Sequence, residues 1–494
     1  MDTAPKNNLR WWILLTVIIG TFLGRLDQTI VNLALPKIIN DFGITVSAAG
    51  WIATAYILAN AVFVPIWGKL GDTIGRKKVY ILGFSIFIFG SVLAGLSWNL
   101  SSMIVFRVIQ AIAGSADYPT AMAILAVTFK EGKERAQALG IWSSSFAAAV
   151  VFGPLLGGPL IDNFGWRSVF LVNLPIGVLG IFMALRFINE SRSEAKTRFF
   201  DWWGALTLGG MLSALVLVLD QGADWGWLSV GSLACYFSII VLLGLFIKVE
   251  QKAPEPIVDL KFFKIPAFVN ALINNFVVFM GMMGGVFLIP VFAQTFLGYN
   301  ATDSGSLFLP MAAAMMLAAP LGGMLTGKVQ SRYVIFASTI VAAIGIFLFA
   351  RLDPRSTAFD IVMPLSVMAF GLGFGMAQRT NIIASVVPQS EIGIASSILA
   401  LVRNIAGAFG IAIFATLLNN RITDNILTIN NFSKLYNFAP LEVQKYVGLI
   451  ILKAQVDAYD YVFVVAAIIV FVGAFTILFL KLKNERTDIK VHVE

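Results

Sequence analysis

Thiol and imidazole side chains are almost missing from this chain of 494 residues, which carries one cysteine, Cys235, and one histidine, His492. Disulfide frameworks need cysteines in pairs and Cys/His metal sites need several ligands, so both are excluded. His492 lies in the C-terminal tail, so no Ser/His/Asp set can form among the apolar segments. No GxxxxGK[ST] phosphate loop occurs, which excludes direct coupling to ATP. Charge is scarce as well: charged residues are 13% of the chain against 58% hydrophobic, and Phe (41) outnumbers Lys and Arg together (35). A soluble protein of this length must face water over its outside and cannot be this apolar. No enzyme, cofactor or metal site is expected.

What remains is a series of long apolar runs. Windows of about 20 residues, the length that spans a bilayer as helix, give about fourteen candidates. They fall near 12–34, 48–67, 79–98, 102–127, 136–160, 168–188, 202–220, 229–248, 267–296, 304–326, 333–350, 360–385, 394–418 and 460–480. The runs are continuous and do not alternate, which excludes a β-barrel. Basic residues collect in alternate loops: Lys69, Arg76, Lys77 and Lys78; Lys130, Lys133 and Arg135; Arg192, Lys196 and Arg198; Lys248, Lys252, Lys261 and Lys264. The opposite loops are poor in bases. That asymmetry predicts that both termini and the basic loops are cytoplasmic. The net charge of +8 is then topology and lipid contact, with no patch left for nucleic acid. The first run has no small-residue cleavage site and reads as a retained span.

The chain is built twice. Ile66–Val79 aligns with Leu321–Val334 at a constant offset that also places Pro65 on Pro320, Gly68 on Gly323, Gly43 on Gly298 and Gly50 on Gly305. Such repeats mark transporters with a site between two halves. Two sets of six spans leave one pair over, 202–220 and 229–248, joined by the Trp-rich turn DQGADWGWLS. The expected organisation is a tail (1–10), a six-helix bundle (11–200), an inserted pair (201–250), a cytoplasmic linker (251–265), a second bundle (266–482) and a tail (483–494). The second bundle holds a long outer segment, 419–458, with a short helix over Leu441–Lys453.

Four motifs in order then carry a resemblance: LDQTIVNLALP (Leu26–Pro36), GKLGDTIGRKK (Gly68–Lys78), RVIQAIAG (Arg107–Gly114) and GPLLGGPL (Gly153–Leu160), the last continued by WRSVFLVNLPIG (Trp166–Gly177). The chain resembles the major facilitator superfamily and, within it, the fourteen-span drug:proton antiporters. The resemblance implies an all-α membrane fold of two six-helix bundles plus two central helices. It assigns Gly68, Asp72, Gly75 and Arg76 to a conformational switch, and Gly153, Pro154, Gly157 and Gly158 to an antiporter motif that seals the outer side. Two positions depart from the pattern. Gly327 stands where the first half has Asp72, and the twelfth span carries GMAQRTN (Gly375–Asn381).

Charged groups inside spans cost about 3 kcal/mol each, so they mark function. Arg107, Gln110, Gly114 and Asp117 recur at i, i+3, i+7 and i+10, within about 80° of arc, with Arg107 and Asp117 roughly 15 Å apart along the axis. Asp27 is the other buried acid. A carboxylate beside an arginine stays ionised, and it takes a proton when the arginine or the water withdraws. Asp27 and Asp117 are therefore the expected proton carriers, with Arg107 as their modulator; the competing reading is a static ion pair between helices 1 and 4. Arg25 points about 160° from Asp27 and cannot be its simple partner. Arg25, Gln110, Asn274, Gln378 and Arg379 are the substrate-contact candidates. Arg379 has two placements open, lining a cavity or snorkelling at the cytoplasmic end of its span.

The expected function is proton-coupled export of amphipathic small molecules by alternating access. The alternative is export or flipping of lipids, fatty acids or other anionic amphiphiles by the same fold, favoured by the positive lean of the buried charge. Expected partners are a lipophilic small molecule, protons and membrane lipids, in a monomer of the bacterial plasma membrane. The segment 419–458 is the place where a periplasmic partner would dock.

Overall fold

Inside a bilayer every backbone polar group has to be satisfied within its own segment, so a chain this apolar has to be helical. The computed structural model describes residues 7–129, 133–191, 201–254, 256–325, 328–385, 392–432 and 440–479, and the regular structure among them is all helix. The first half supplies α1 (Asn7–Phe42), α2 (Val46–Ile74), α3 (Arg76–Gly95), α4 (Leu100–Gly114), α5 (Asp117–Thr128), α6 (Lys133–Phe164), α7 (Ser168–Leu171) and α8 (Asn173–Phe187). A hairpin follows, α9 (Trp202–Trp225) and α10 (Val230–Lys252). The second half has α11 (Pro266–Phe296), α12 (Ala301–Ser306), α13 (Phe308–Gly323), α14 (Ser331–Leu348), α15 (Ala358–Ser385), α16 (Ile392–Phe432) and α17 (Pro440–Thr476).

Among the described residues, twelve helical stretches are long and apolar enough to cross a membrane. The sequence-predicted spans 102–127 and 136–160 are not in that set. The first is two helices of 15 and 12 residues, broken at Ser115–Ala116. Pro119 explains the break, because it has no N–H to donate to the carbonyl of Ser115. The second lies within α6, which is 32 residues long with Pro154 and Pro159 inside it. The stretch 419–458 continues the flanking helices: α16 runs to Phe432 and α17 starts at Pro440, so Leu441–Lys453 is the first part of α17 and not a separate short helix. Residues 433–439 lie outside the described residues, as do the basic positions Lys130, Arg192, Lys196, Arg198, Lys481, Lys483, Arg486 and Lys490 and the repeat position Gly327. At about 1.5 Å per residue, helices of 41 and 37 residues exceed a hydrocarbon core of about 30 Å.

The chain forms two compact units. One comprises residues 1–257, 287–309 and 411–416, the other 258–286, 310–410 and 417–494. In the first unit α1, α3, α5 and α6 close around Ile13, Val17, Tyr80, Ile124, Leu125, Phe129 and Trp142, all buried. In the second, α14 packs along α15 and α17. The repeat reappears as contact: a Cβ on Gly90 would strike the backbone of Gln110 in α4, and one on Gly345, its partner at the sequence offset, would strike that of Met368 in α15. Helix ends are capped by Thr45, Asn99, Asp201, Ser229 and Asn300, whose side chains accept from the first turn.

Candidate functional site

Three polar residues from two helices, Arg107 and Gln110 of α4 and Asn173 of α8, converge on Asp27 of α1. Arg107 Nη1 donates to its Oδ2 at 2.5 Å, and Gln110 Nε2 and Asn173 Nδ2 each donate to Oδ1 at 2.9 Å. Gln110 Oε1 also accepts from Arg107 Nη1 at 2.7 Å, and the Asn173 amide reaches Ser91 Oγ at 2.9 Å. The guanidinium lies over the Tyr56 ring, 4.0 Å from its centroid. Asp27 and Gln110 are 0% exposed and Arg107 1%. A buried ion pair is best held when its remaining lone pairs and protons are engaged; both carboxylate oxygens are, while Arg107 Nε and Asn173 Oδ1 are buried without a hydrogen bond. Gln110, a substrate-contact candidate by sequence, has both ends of its amide inside this network. Arg25 is elsewhere, its Nη1 donating to Gln28 Oε1 at 3.2 Å.

Asp117, the other expected proton carrier, opens α5 beyond the break and is not joined to Arg107. Thr21 Oγ1 accepts from Trp142 Nε1 at 3.0 Å and turns its hydroxyl toward the Asp117 carboxylate. Asp117 Oδ1 is buried with no hydrogen-bond partner. The helix N-terminus behind it favours negative charge there.

The switch motif is tighter than a loop. α2 ends at Ile74 and α3 starts at Arg76, with Gly75 alone between them at φ +122°, which a side chain would strain. The Glu190 carboxylate fills the space beside it and accepts from the backbone N–H of Lys77 (3.1 Å) and Lys78 (3.3 Å), capping α3. Arg76 Nη1 reaches the carbonyl of Ala123 at 3.5 Å, and Gly68 and Gly71 stand against Pro119 and Thr120 of α5. The α2–α3 turn is thus fastened to the broken helix that carries Asp117. The Asp72 side chain lies outside the described residues.

The antiporter motif of α6 faces two helices. Gly153 and Gly157 lie against Thr29, Ile30 and Leu33 of α1, while Gly158 lies so close to Thr302 of α12 that a Cβ would collide with its Cα. Gly305 of α12 approaches the carbonyl of Pro154 in the same way. Just past the apolar run 136–160, Asp162 accepts from the N–H of Ala301 (3.1 Å), the N–H of Thr302 (2.9 Å) and Thr302 Oγ1 (2.6 Å). Burial acts to raise its pKa, but these bonds and the charge of Lys37 outweigh it and hold the carboxyl below the ordinary carboxylate range.

In the second unit Arg379 is 2% exposed, so it does not snorkel. Its guanidinium donates to Asn274 Oδ1 (3.0 Å), Thr339 Oγ1 (2.7 Å), Ser338 Oγ (3.2 Å) and the carbonyl of Leu372 (3.4 Å). All four acceptors are neutral, and no carboxylate pairs with it among the described residues. Asn274 donates onward to the carbonyl of Gly473, and Gln378 bonds Ser331 and the carbonyl of Gly322. Asn274, Gln378 and Arg379 therefore tie α11, α13, α14, α15 and α17 together.

Sequence reasoning missed Thr21, Tyr80, Asn173, Glu190 and Asp162. Asn173 stood inside the quoted WRSVFLVNLPIG segment and is the one amide of its own apolar run, 168–188, which is a usable signal. Glu190 and Asp162 sit at helix ends among ordinary surface residues and give none. Among the described residues no group of three His, Cys, Asp or Glu is placed to hold a metal ion.

Comparison with known proteins agrees with this architecture. Residues 17–411 match the Major Facilitator Superfamily. The chain is 32% identical over 429 residues to the multidrug transporter protein MdtP of Bacillus subtilis, covering 87% of this chain and 79% of that one. It is 32% identical over 408 residues to the multidrug resistance protein Stp of Mycobacterium tuberculosis, covering 82% and 76%. Among solved structures it shares its fold with a bacterial homologue of the human lysosomal transporter Spinster in an inward-facing, unoccupied conformation. The TM-score is 0.68 at 17% identity, covering 96% of this chain and 98% of that one.

Proposed function

This chain belongs to the Major Facilitator Superfamily, a family of multi-pass membrane transporters, and we propose that it exports amphipathic small molecules in exchange for protons by alternating access. Export of drug-like compounds is supported by the likeness to MdtP and Stp. The observation that carries proton coupling is the contrast between two buried acids of one unit. Asp27 is saturated by Arg107, Gln110 and Asn173, whereas Asp117 keeps an oxygen open. A group that binds and releases a proton during a cycle needs a carboxylate whose surroundings do not lock it ionised.

The rest of the reading follows. The polypeptide crosses the plasma membrane fourteen times with both termini in the cytoplasm, α4–α5 and α6 being the crossings beyond the twelve. It works as a monomer. The Gly68–Arg76 turn is the switch, since it is fastened to the helix bearing Asp117, and the α6–α12 junction is the outer seal. Arg379, buried among neutral acceptors, favours a second reading in which the exported compound is an anionic amphiphile.

The deciding experiment uses vesicles holding the purified protein and a pH gradient, challenged in turn with lipophilic cations and anionic amphiphiles. Gradient collapse on cations, lost in Asp117→Asn, is the expected result. A response to anionic amphiphiles alone would favour the second reading, and silence to both would overturn proton-coupled export.

A further inference from the structure

The break between α4 and α5 leaves a small pocket at Asp117. Tyr80, Phe84, Phe87, Gly114 and Asp117 line it, with Gly83 and Ala113 at its wall, and its volume is about 10 Å³. That is about the space one water centre occupies. A water stays in such a place only with two to four polar partners. One is the buried Asp117 Oδ1, which the protein leaves without a bond. A second is Tyr80 Oη, whose own proton is given to the carbonyl of Thr16 at 3.1 Å, so that the oxygen, which the Gly20 N–H also approaches, can accept a bond from the water. A third is the Ala113 carbonyl, which faces Gly83 across the break; a Cβ there would come within 3.0 Å of it. Gly20 of α1 makes the convergence possible. A Cβ on it would collide with Tyr80 Oη and lie 3.1 Å from Asp117 Oδ1.

We infer that Tyr80 and one buried water complete a proton-holding site at Asp117, with Tyr80 as the positioning residue. The inference deepens the proton-coupled reading and rests on Asp117 as its proton carrier. When Asp117 is ionised, the water donates one O–H to Oδ1 and the other to Tyr80 Oη. When Asp117 takes a proton, that proton sits on Oδ1 and is donated to the water oxygen. The water keeps its bond to Tyr80 and turns its freed O–H to the Ala113 carbonyl. No bond to hydrogen is lost between the two states, which is what a site that cycles between them needs. The charged and titratable groups acting on Asp117 are Arg25 from α1 and Tyr80 from α3; the hydroxyl of Tyr56, from α2, stands against Gly114 at the pocket's edge.

The test is infrared difference spectroscopy on the full-length protein in lipid vesicles. The carbonyl stretch of a protonated carboxyl is titrated with pH and assigned by its loss in Asp117→Asn. Tyr80→Phe keeps the ring and removes the anchor of the water, and with it a donor to the ionised form. The expected result is a midpoint raised by about half a pH unit, a threefold tighter hold on the proton. In unaltered protein, a water O–H stretch sensitive to H2(18)O should change together with the Asp117 band. An unmoved midpoint in Tyr80→Phe, or no isotope-sensitive water band in the unaltered protein, overturns the inference. Vesicle transport separates the two ideas. If the band behaves as expected while export ignores the pH gradient, the coupling reading fails and the hydrated site stands. If export follows the gradient while Tyr80→Phe leaves the midpoint unmoved, the reverse holds.

Discussion

Asp27 and Asp117 sit in the same unit, yet removing their charge has different consequences. Asp27→Asn leaves the Arg107 guanidinium buried without its counter-ion, and breaking a buried pair from one side costs about 3–5 kcal/mol. Thermal unfolding in detergent should show a clear fall for Asp27→Asn and recovery of most of it in Asp27→Asn with Arg107→Gln; equal stability of the single variant and the parent would refute the pairing. Asp117→Asn, which strands no cation, should stay close to the parent in the same assay. Arg379→Met exchanges a guanidinium for an apolar chain of similar length but orphans the acceptors on Asn274, Ser338 and Thr339. It should lose about 2 kcal/mol, read as a lower unfolding midpoint. The sequence disclosed Asp27, Arg107 and Gln110, because charged and amide residues inside apolar runs are conspicuous, but not Asn173. It did not disclose the grouping. Arg107 and Asp117 share a face of an unbroken helix, so Arg107 served both acids on paper; which acid it meets depends on where α1 approaches α4, a tertiary fact. Arg25 was rightly separated from Asp27, since helix geometry alone decides that.

Helices α6 and α12 meet backbone to backbone at Gly158 and Gly305. Gly158→Val would drive a side chain into the Thr302 backbone and part the two helices, seen as a longer distance between spin labels placed on them. Asp162 makes the same junction pH-dependent in a defined direction. Its folded-state carboxyl is held low, so its stabilisation is complete above the ordinary Asp value of about 4 and disappears as pH falls through the lowered value. The contribution is about 1 kcal/mol at most, because the carboxylate is exposed and screened. The label distance should therefore hold from neutral pH down to about 4 and lengthen below it, and in Asp162→Asn it should be long throughout; a distance that changed near neutral pH would exclude Asp162 as the cause. The α4–α5 break has a signal in Gly114 and Pro119, yet by hydropathy 102–127 reads as one span. The length of α16 and α17 was not legible. Polar residues read as loop by hydropathy, while helix can continue into water on capping and side-chain contacts with no apolar requirement.

At the scale of the whole molecule, fold class and family came from composition, basic-loop asymmetry and motif order, signals spread over the entire chain. Whole-chain behaviour offers its own check on the inserted hairpin. In a Cys235→Ser background, Trp227→Cys at the α9–α10 turn should be labelled by a membrane-impermeant maleimide from outside intact cells; protection there would mean that the hairpin does not cross. The candidate site was only half legible, because Thr21, Tyr80 and Gly20 are unremarkable in an apolar sequence and acquire meaning from their meeting point at Asp117. That meeting point has an optical side. The Trp142 indole donates to Thr21, whose hydroxyl faces Asp117, and its ring lies 5.3 Å from that of Tyr118. Each gain or loss of charge at Asp117 alters the field across a rigid, desolvated indole. Trp142 should thus carry an absorption and emission shift of its own, giving an unlabelled protein whose turnover can be followed by ultraviolet light.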